Sequence, residues 1–399
     1  MNAVQATAPT ARWDRDDIEA RVAHVLARKM ARRGSGAYSA RTDSQVTAQL
    51  AALFAHQGLS EVNISALARM TGGASKEQFA FTLSHAGAAA PERLVLRMDP
   101  WMGIVETCRG REAQLLAAFA GVVPVPPLRF VDADGDYLGQ PGLITRMVPG
   151  NTAPTDIEAK AVTGVGIRFE HWIAKLAPQF IDNLARIHAF DWRTAKLSYF
   201  DAPQAGTSQA ALRQVNWWAR VWQQDCEEAD PLVTLVERWL RENAPVCAQP
   251  VVVHGDYRIG NFMFVEPSGE FSAVLDWELA LLGDFHEDLA WCVQRLFGTP
   301  RADGEWLICG LLPRAEFFTR YAQATGMALD LDTIRYYEIL NAWKCIIINN
   351  GSACRAAQVG QSHQDLVLTW MAFGSAVFMD QLNELMADAL RCIPISICV

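Results

Sequence analysis

Apolar positions 18, 22, 25 and 26 recur at helical spacing behind Asp14, and the pattern predicts a helix over about residues 16–33 that stops at Gly34. Its last turn carries Arg28, Lys29, Arg32 and Arg33. Basic residues favour a helix C-terminus; the same run could also gather an anion. A second helix is expected over 44–57, before Gly58. From about residue 61 the period changes. GGASKEQFAFTL gives a polar turn followed by an alternating strand from Phe79 to Leu83, and RLVLRM at 93–98 alternates in the same way. A helix over about 105–120 follows, then two strands in PVPPLRFVDAD and GLITRMVPG.

After Pro149 and Gly150 the period becomes largely helical. VGIRFEHWIAKLAPQFIDNLARIHAFD is amphipathic over much of its length, and Trp217, Trp218, Trp222 and Trp239 stud two further helices. Residues 251–284 interrupt with short strands and loops. Helical patterns resume in DLAWCVQRLF, EFFTRYAQATG, TIRYYEILNAWKCIIINNG and 364–390. The expected fold is α+β and bilobal: a helical extension (1–60), a small antiparallel-sheet lobe (61–148) and a larger helical lobe (149–399). Two lobes imply a cleft, where ligands go.

Composition changes this picture little. Of 399 residues, 51% are apolar and thirteen are tryptophan, enough for a sizeable core. A net charge of −9 speaks against a nucleic-acid partner. The nine cysteines form no CxxC pair and no His/Cys cluster of metal spacing, as expected of reduced thiols in the cytoplasm. No signal-peptide core is visible, and no apolar run reaches the roughly 18 residues of a membrane span.

The chemistry gathers in the interrupted section. VVVHGDYRIGNFMF places Asp256 and Asn261 at the end of an apolar run, and FSAVLDWELALLGD places Asp276 likewise. An aspartate, four residues, an asparagine and a later aspartate is the spacing of a kinase catalytic loop and its metal ligands. Asp256 would deprotonate an acceptor hydroxyl, while the Asn261 amide oxygen and the Asp276 carboxylate would hold Mg2+. Upstream, Gly72 and Gly73 could lay backbone amides over phosphates or simply form a turn; no Walker A loop is present. Arg97 could reach those phosphates if it faces the cleft, with Glu112 on the following helix as its partner. Trp217, Trp218 and Arg258 are candidates for contact with the acceptor, although tryptophans in this pattern are more often core. His286 reads as a satisfied structural histidine. The acidic run QQDCEEAD reads as a solvated face, or as a grip for a polycationic acceptor.

HGDYRIGNFMF, VLDWELALLGDFHEDLAW and LVLRMDP with REAQLLAAF together resemble the aminoglycoside phosphotransferase and choline kinase-like superfamily over about residues 61–390. They are most similar to bacterial phosphotransferases related to the kinase domain of acyl-CoA dehydrogenase family members 10 and 11. The resemblance implies a catalytic Asp256, magnesium ligands Asn261 and Asp276, and Arg97 with Glu112 against the phosphates. It also implies an adenine-binding hinge from Thr145 through Met147 to Val148. His254 is expected to brace the catalytic loop, and Asp284 and Asp288 to tie it together. Phe285 and His286 stand where relatives commonly carry a proline. The implied activity is transfer of phosphate from ATP, with GTP as the alternative, to a hydroxyl of a small molecule. A hydroxyacyl thioester leads as acceptor, an aminoglycoside is second, and an inactive nucleotide-binding pseudokinase is the alternative of another class.

Overall fold

The structure, a computed structural model, describes residues 13–34, 36–70, 75–157, 164–226, 228–360 and 362–391. The alternating segments form strands β2 (Glu77–Ser84) and β3 (Glu92–Met98), paired antiparallel with Phe79 opposite Leu96 and Phe81 opposite Leu94. All four side chains are fully buried, so the register is fixed by its apolar face. With β1 (Asn63–Arg69), β4 (Leu128–Asp132) and β5 (Gly142–Arg146) they make an antiparallel sheet of order β1-β2-β3-β5-β4. The pattern did not predict β1. It is an edge strand, mostly exposed, with a register slip between Ser65 and Ala68 and a left-handed Ala66 (φ 49°), so neither burial nor alternation marks it.

Helix α1 spans Ala20–Ala31 and α2 spans Asp43–His56. The predicted start of α1 at residue 16 is too early. Residues 14–17 instead serve as partners for a later helix, Asp17 accepting from Arg213 Nε at 2.8 Å and the carbonyls of Asp14 and Asp17 from Asn216 at 2.9 Å. Thr42 starts α2 with a capping box, its side chain accepting from the N–H of Gln45 while Gln45 returns a bond to the N–H of Thr42. Val46, Leu50, Leu53 and Phe54 then lie on one helical face, fully buried against Phe79, Phe81, Leu94, Leu96 and Ile144. At about 1.5–3 kcal/mol for each such side chain, packing rather than helix propensity seats α2 on the sheet. Helix α3 (Arg109–Phe119) turns Leu115, Leu116 and Phe119 into the other core. Val22 and Leu26 of α1 join that second core too.

The larger lobe contains α4 (Ile173–Ala189), α5 (Gln209–Asp225), α6 (Pro231–Glu242), α7 (His286–Cys292), α8 (Arg314–Thr325), α9 (Leu331–Ile346), α10 (Cys354–Gln358) and α11 (Asp365–Arg391). Thirteen residues of α9 are buried, as befits a helix surrounded by others, and it runs on into a π-helical turn, Ile347–Ala353. Between α6 and α7 lie two short antiparallel pairs, β6 (Val251–Val253) with β9 (Leu281–Gly283) and β7 (Phe262–Val265) with β8 (Glu270–Val274). Among the described residues no helix is long and apolar enough to cross a membrane, and every described cysteine is a free thiol.

Candidate active site

Strand β6 delivers His254, Gly255 and Asp256 into the cleft. Gly255 is left-handed (φ 78°), and a Cβ there would meet the Leu279 carbonyl oxygen at 2.5 Å, so only glycine suits the turn. Asp288, on α7, accepts from the N–H groups of His254 (2.6 Å) and Gly255 (2.8 Å). Its Oδ2 also lies 3.1 Å from His188 Nε2. Burial would raise the Asp288 carboxyl, but His188 and His254 outweigh it and hold the group below its ordinary value.

His254 is enclosed between the two halves of the site. Its Nε2–H donates to the Leu275 carbonyl (2.9 Å), and its Nδ1 accepts from the N–H of Asp256 (3.2 Å). One ring therefore spaces the Asp256 loop from Asp276. Burial depresses its basicity, in keeping with a neutral ring that needs one donor and one acceptor.

Asp256 Oδ1 accepts from Arg258 Nε (2.8 Å) and Trp291 Nε1 (2.9 Å); Oδ2 accepts from Asn261 Nδ2 (2.6 Å). The same Asn261 nitrogen donates to the Asp256 carbonyl at 2.9 Å. Burial pushes the Asp256 carboxyl up, against the pull of Arg258. The outcome is a fixed carboxylate, more basic than an exposed one, with acceptor capacity remaining on Oδ2. Asn261, its nitrogen so engaged, has its amide oxygen for a cation. Asp276 is itself left-handed (φ 60°), at the end of a turn after β8. An amide oxygen and a carboxylate are hard donors that suit magnesium. Among the described residues no group of three or more His, Cys, Asp or Glu side chains is placed to hold a metal, so a cation here would complete its shell with phosphate oxygens and water.

Arg97, on β3, faces the cleft. Its Nη1 donates to Glu112 Oε1 at 2.7 Å, and its Nη2 is bonded to Asp276 Oδ1. Behind this lies a network that the sequence reading missed. Arg109 binds Glu112 Oε2, Glu278 Oε2 (2.8 Å) and Asp99 Oδ1 (3.2 Å). Lys76 lies 3.2 Å from Glu278 Oε2 and 3.4 Å from Asp99 Oδ1. Burial would raise Glu278, but Lys76, Arg109 and Arg97 hold it far below the usual carboxylate range. A visible signal was available: three charged residues in CRGRE and a charged pair opening the strand of SKEQF are costly beside apolar runs unless paired.

The other expected residues fall as follows. Gly72 and Gly73 lie outside the described residues. Thr145 is buried inside β5, opposite Val95. The N–H of Arg146 goes to Pro127 O and that of Met147 to Arg93 O, both at 2.9 Å, so these two amides are engaged by neighbouring backbone. Trp217 and Trp218 are 5% and 1% exposed and stack on one another at 4.8 Å. At that burial both pack the core, the more frequent of the two readings, rather than line an open acceptor pocket. Arg258, offered as an acceptor contact, is held by Asp256 and by the Ile259 carbonyl (2.8 Å). His286 is satisfied, bonded to Asp284 Oδ1 (2.6 Å) and accepting from the N–H of Asp330 (3.2 Å).

The acidic run is not a solvated face throughout. Asp225 is fully buried, bonded to Lys29, Arg33, Arg355 and Ser352. Asp230 caps α6, accepting from the N–H groups of Leu232 (2.8 Å) and Val233 (3.2 Å). The basic end of α1 is likewise committed, with Lys29 and Arg33 on Asp225 and Arg28 3.5 Å from Asp99.

Residues 66–337 match the model of the phosphotransferase enzyme family, well over half of the 399 residues. Acyl-CoA dehydrogenase family member 10 of Mus musculus is 28% identical over 205 residues, 51% of this chain and 18% of that protein. The probable acyl-CoA dehydrogenase IBR3 of Arabidopsis thaliana is 24% identical over 293 residues, 68% of this chain and 34% of that protein. The chain thus spans about a fifth to a third of the length of these curated relatives. Among solved structures, a Ralstonia eutropha protein assigned to the aminoglycoside phosphotransferases superposes with a TM-score of 0.57 at 21% identity, covering 87% of this chain and 99% of that one. Macrolide 2'-phosphotransferase type I gives 0.54 at 20%, covering 86% and 98%. At such identities the likeness is one of fold, a small antiparallel-sheet lobe against a larger helical lobe. The chain belongs to the phosphotransferase enzyme family, within the aminoglycoside phosphotransferase and choline kinase-like superfamily.

Proposed function

We propose that this chain is an ATP- and magnesium-dependent kinase of a hydroxyl group on a small molecule, with a hydroxyacyl thioester as the leading acceptor. The observation that carries the reading is the single ring of His254, which joins the Asp256 loop to the Asp276 turn opposite Arg97 and Glu112. Phosphoryl transfer asks for little beyond positioning and charge neutralisation, and these residues offer both.

In this scheme Asp256 Oδ2 accepts the proton of the acceptor hydroxyl as its oxygen bonds to the γ-phosphorus and the bond to the leaving diphosphate oxygen breaks. Trp291, Arg258 and Asn261 keep that carboxylate from turning away. Arg97 turns its guanidinium from Asp276 to phosphate oxygens while Glu112 retains its other edge. Asn261 Oδ1 and the Asp276 carboxylate are the atoms that would hold magnesium, whose charge offsets that of the phosphates.

The thioester acceptor is supported by two things. The curated relatives bear the name of acyl-CoA dehydrogenases. The acidic run that would grip a polycationic aminoglycoside is partly spent inside the protein, through Asp225 and the cap at Asp230.

The test is magnesium-dependent loss of the γ-phosphate from ATP and GTP with hydroxyacyl-CoAs, simple alcohols and aminoglycosides, with Asp256→Asn as control. Stimulation by hydroxyacyl-CoAs, absent in the variant, is expected. Stimulation by aminoglycosides alone would move the acceptor to that class. Tight nucleotide binding with no acceptor-dependent turnover would favour a pseudokinase.

A further inference from the structure

The ion-pair network crossing the cleft has an open end and a closed end. At the open end Arg97 and Asp276 are 14% and 32% exposed. At the closed end Lys76, Arg109, Asp99 and Glu278 are 1%, 0%, 5% and 9% exposed. Lys76, Asp99, Arg109 and Glu112 come from the sheet side of the cleft; Asp276 and Glu278 come from the turn after β8 on the other side.

A phosphate oxygen competes with Asp276 for the N–H groups of Arg97, and a cation competes with Arg97 for the Asp276 carboxylate. Occupation of the site therefore loosens the bridge at the open end. What still ties the two sides there is the closed end: Arg109 Nη2 to Glu278 Oε2 (2.8 Å), Lys76 Nζ to the same oxygen (3.2 Å), and Arg111 Nη2 to the Ala280 carbonyl (3.1 Å). Arg109 also binds Glu112, and Glu112 binds Arg97. Glu278 thus reaches Arg97 through two side chains, and it is covalently two residues from Asp276.

We infer that Glu278 is a positioning residue, the interlobe anchor that keeps Arg97 and Asp276 in register while they exchange one another for the phosphates and metal of a nucleotide. Its carboxylate touches no reacting atom. It fixes where Arg97 and Asp276 stand once their mutual bond is loosened, and so acts on the nucleotide rather than on the acceptor. The assignment rests on the kinase reading above.

The experiment compares Glu278→Gln, which keeps the shape and one acceptor oxygen, and Lys76→Met with the wild-type chain. It measures the Kd of Mg–ATP by calorimetry, the KM for ATP and for the acceptor, kcat, and the thermal midpoint. The expected result is about a tenfold or larger rise in Kd and KM for ATP in Glu278→Gln, with the acceptor KM unchanged and the chain folded at the assay temperature. Lys76→Met should shift the same two constants in the same direction. Wild-type Kd for Mg–ATP in a folded Glu278→Gln chain would overturn the assignment, as would a lowered midpoint with no change in the ATP constants. Because Kd is read without turnover, a wild-type chain that binds Mg–ATP but phosphorylates nothing would count against the kinase reading and still leave the anchor decided by its own variant.

Discussion

The guanidinium of Arg97 is bonded to the carboxylate of Asp276 across the cleft, although 179 positions separate them. Each group is thereby held where a nucleotide needs it, and each is occupied by the other.

Removing Asp276 should accordingly have two separable effects. In Asp276→Ala the magnesium enhancement of nucleotide binding is lost. Magnesium-free affinity should equal or exceed that of the wild type, since Arg97 no longer has a competitor. Titration calorimetry with and without magnesium reads both; an enhancement that survives the substitution would remove Asp276 from the metal site.

Asp256 is expected to matter for transfer and not for nucleotide affinity. Asp256→Asn should lower kcat by about 10²–10⁴, the usual worth of a positioned general base, and leave the Kd for Mg–ATP nearly unchanged. Since Asn261 is bonded to both Oδ2 and the carbonyl of Asp256, the binding measurement is needed beside the rate. Parallel loss of the two would mean that Asp256 works through Asn261.

Asp225, itself without solvent contact, gathers the buried Lys29, Arg355 and Ser352 and the partly exposed Arg33. Taking away its charge leaves Lys29 buried without its counterion. Asp225→Asn should cost about 3–5 kcal/mol, read as a lower urea midpoint with the m-value unchanged. Wild-type stability in the variant would show that the cluster is dispensable.

Glu287 provides a pH test. It is fully buried on α7 with Lys344 Nζ at 3.5 Å, and burial raises its carboxyl to about 7 despite that lysine. A folded value above the unfolded one means that the folded chain binds this proton more tightly. The contribution to stability is therefore full below about pH 4.5 and is lost as pH rises through about 7. The thermal midpoint of the wild type should fall more steeply between pH 5.5 and 8 than that of Glu287→Gln. Identical slopes would contradict the assignment.

What the sequence carried was local. Asp256, Asn261 and Asp276 stand out because charged residues at the ends of apolar runs are costly without purpose, and the strand of Phe79 and Phe81 announces itself by alternation. The fold class followed from those periods and from the change of period after Gly150. Long-range pairing was hidden. Arg109 and Glu278 lie 169 positions apart, and although the charges of CRGRE signal that they need partners, nothing local says which partners they find. Asp225 was masked by its acidic neighbours, because composition cannot tell which member of a charged run turns inward. Trp217 and Trp218 were ambiguous for a related reason: an aromatic pair has the same look whether it faces a ligand or another helix.

The two N-terminal helices have a topological consequence. Because α1 packs against α5 of the larger lobe and α2 packs on the sheet, the chain runs from the larger lobe at α1 to the smaller at α2 and returns after β5. Among the described residues the two lobes are thus joined by two covalent crossings, one between α1 and α2 and one after β5. Any widening of the cleft would have to be absorbed at both crossings, as a strapped book opens only as far as the strap allows.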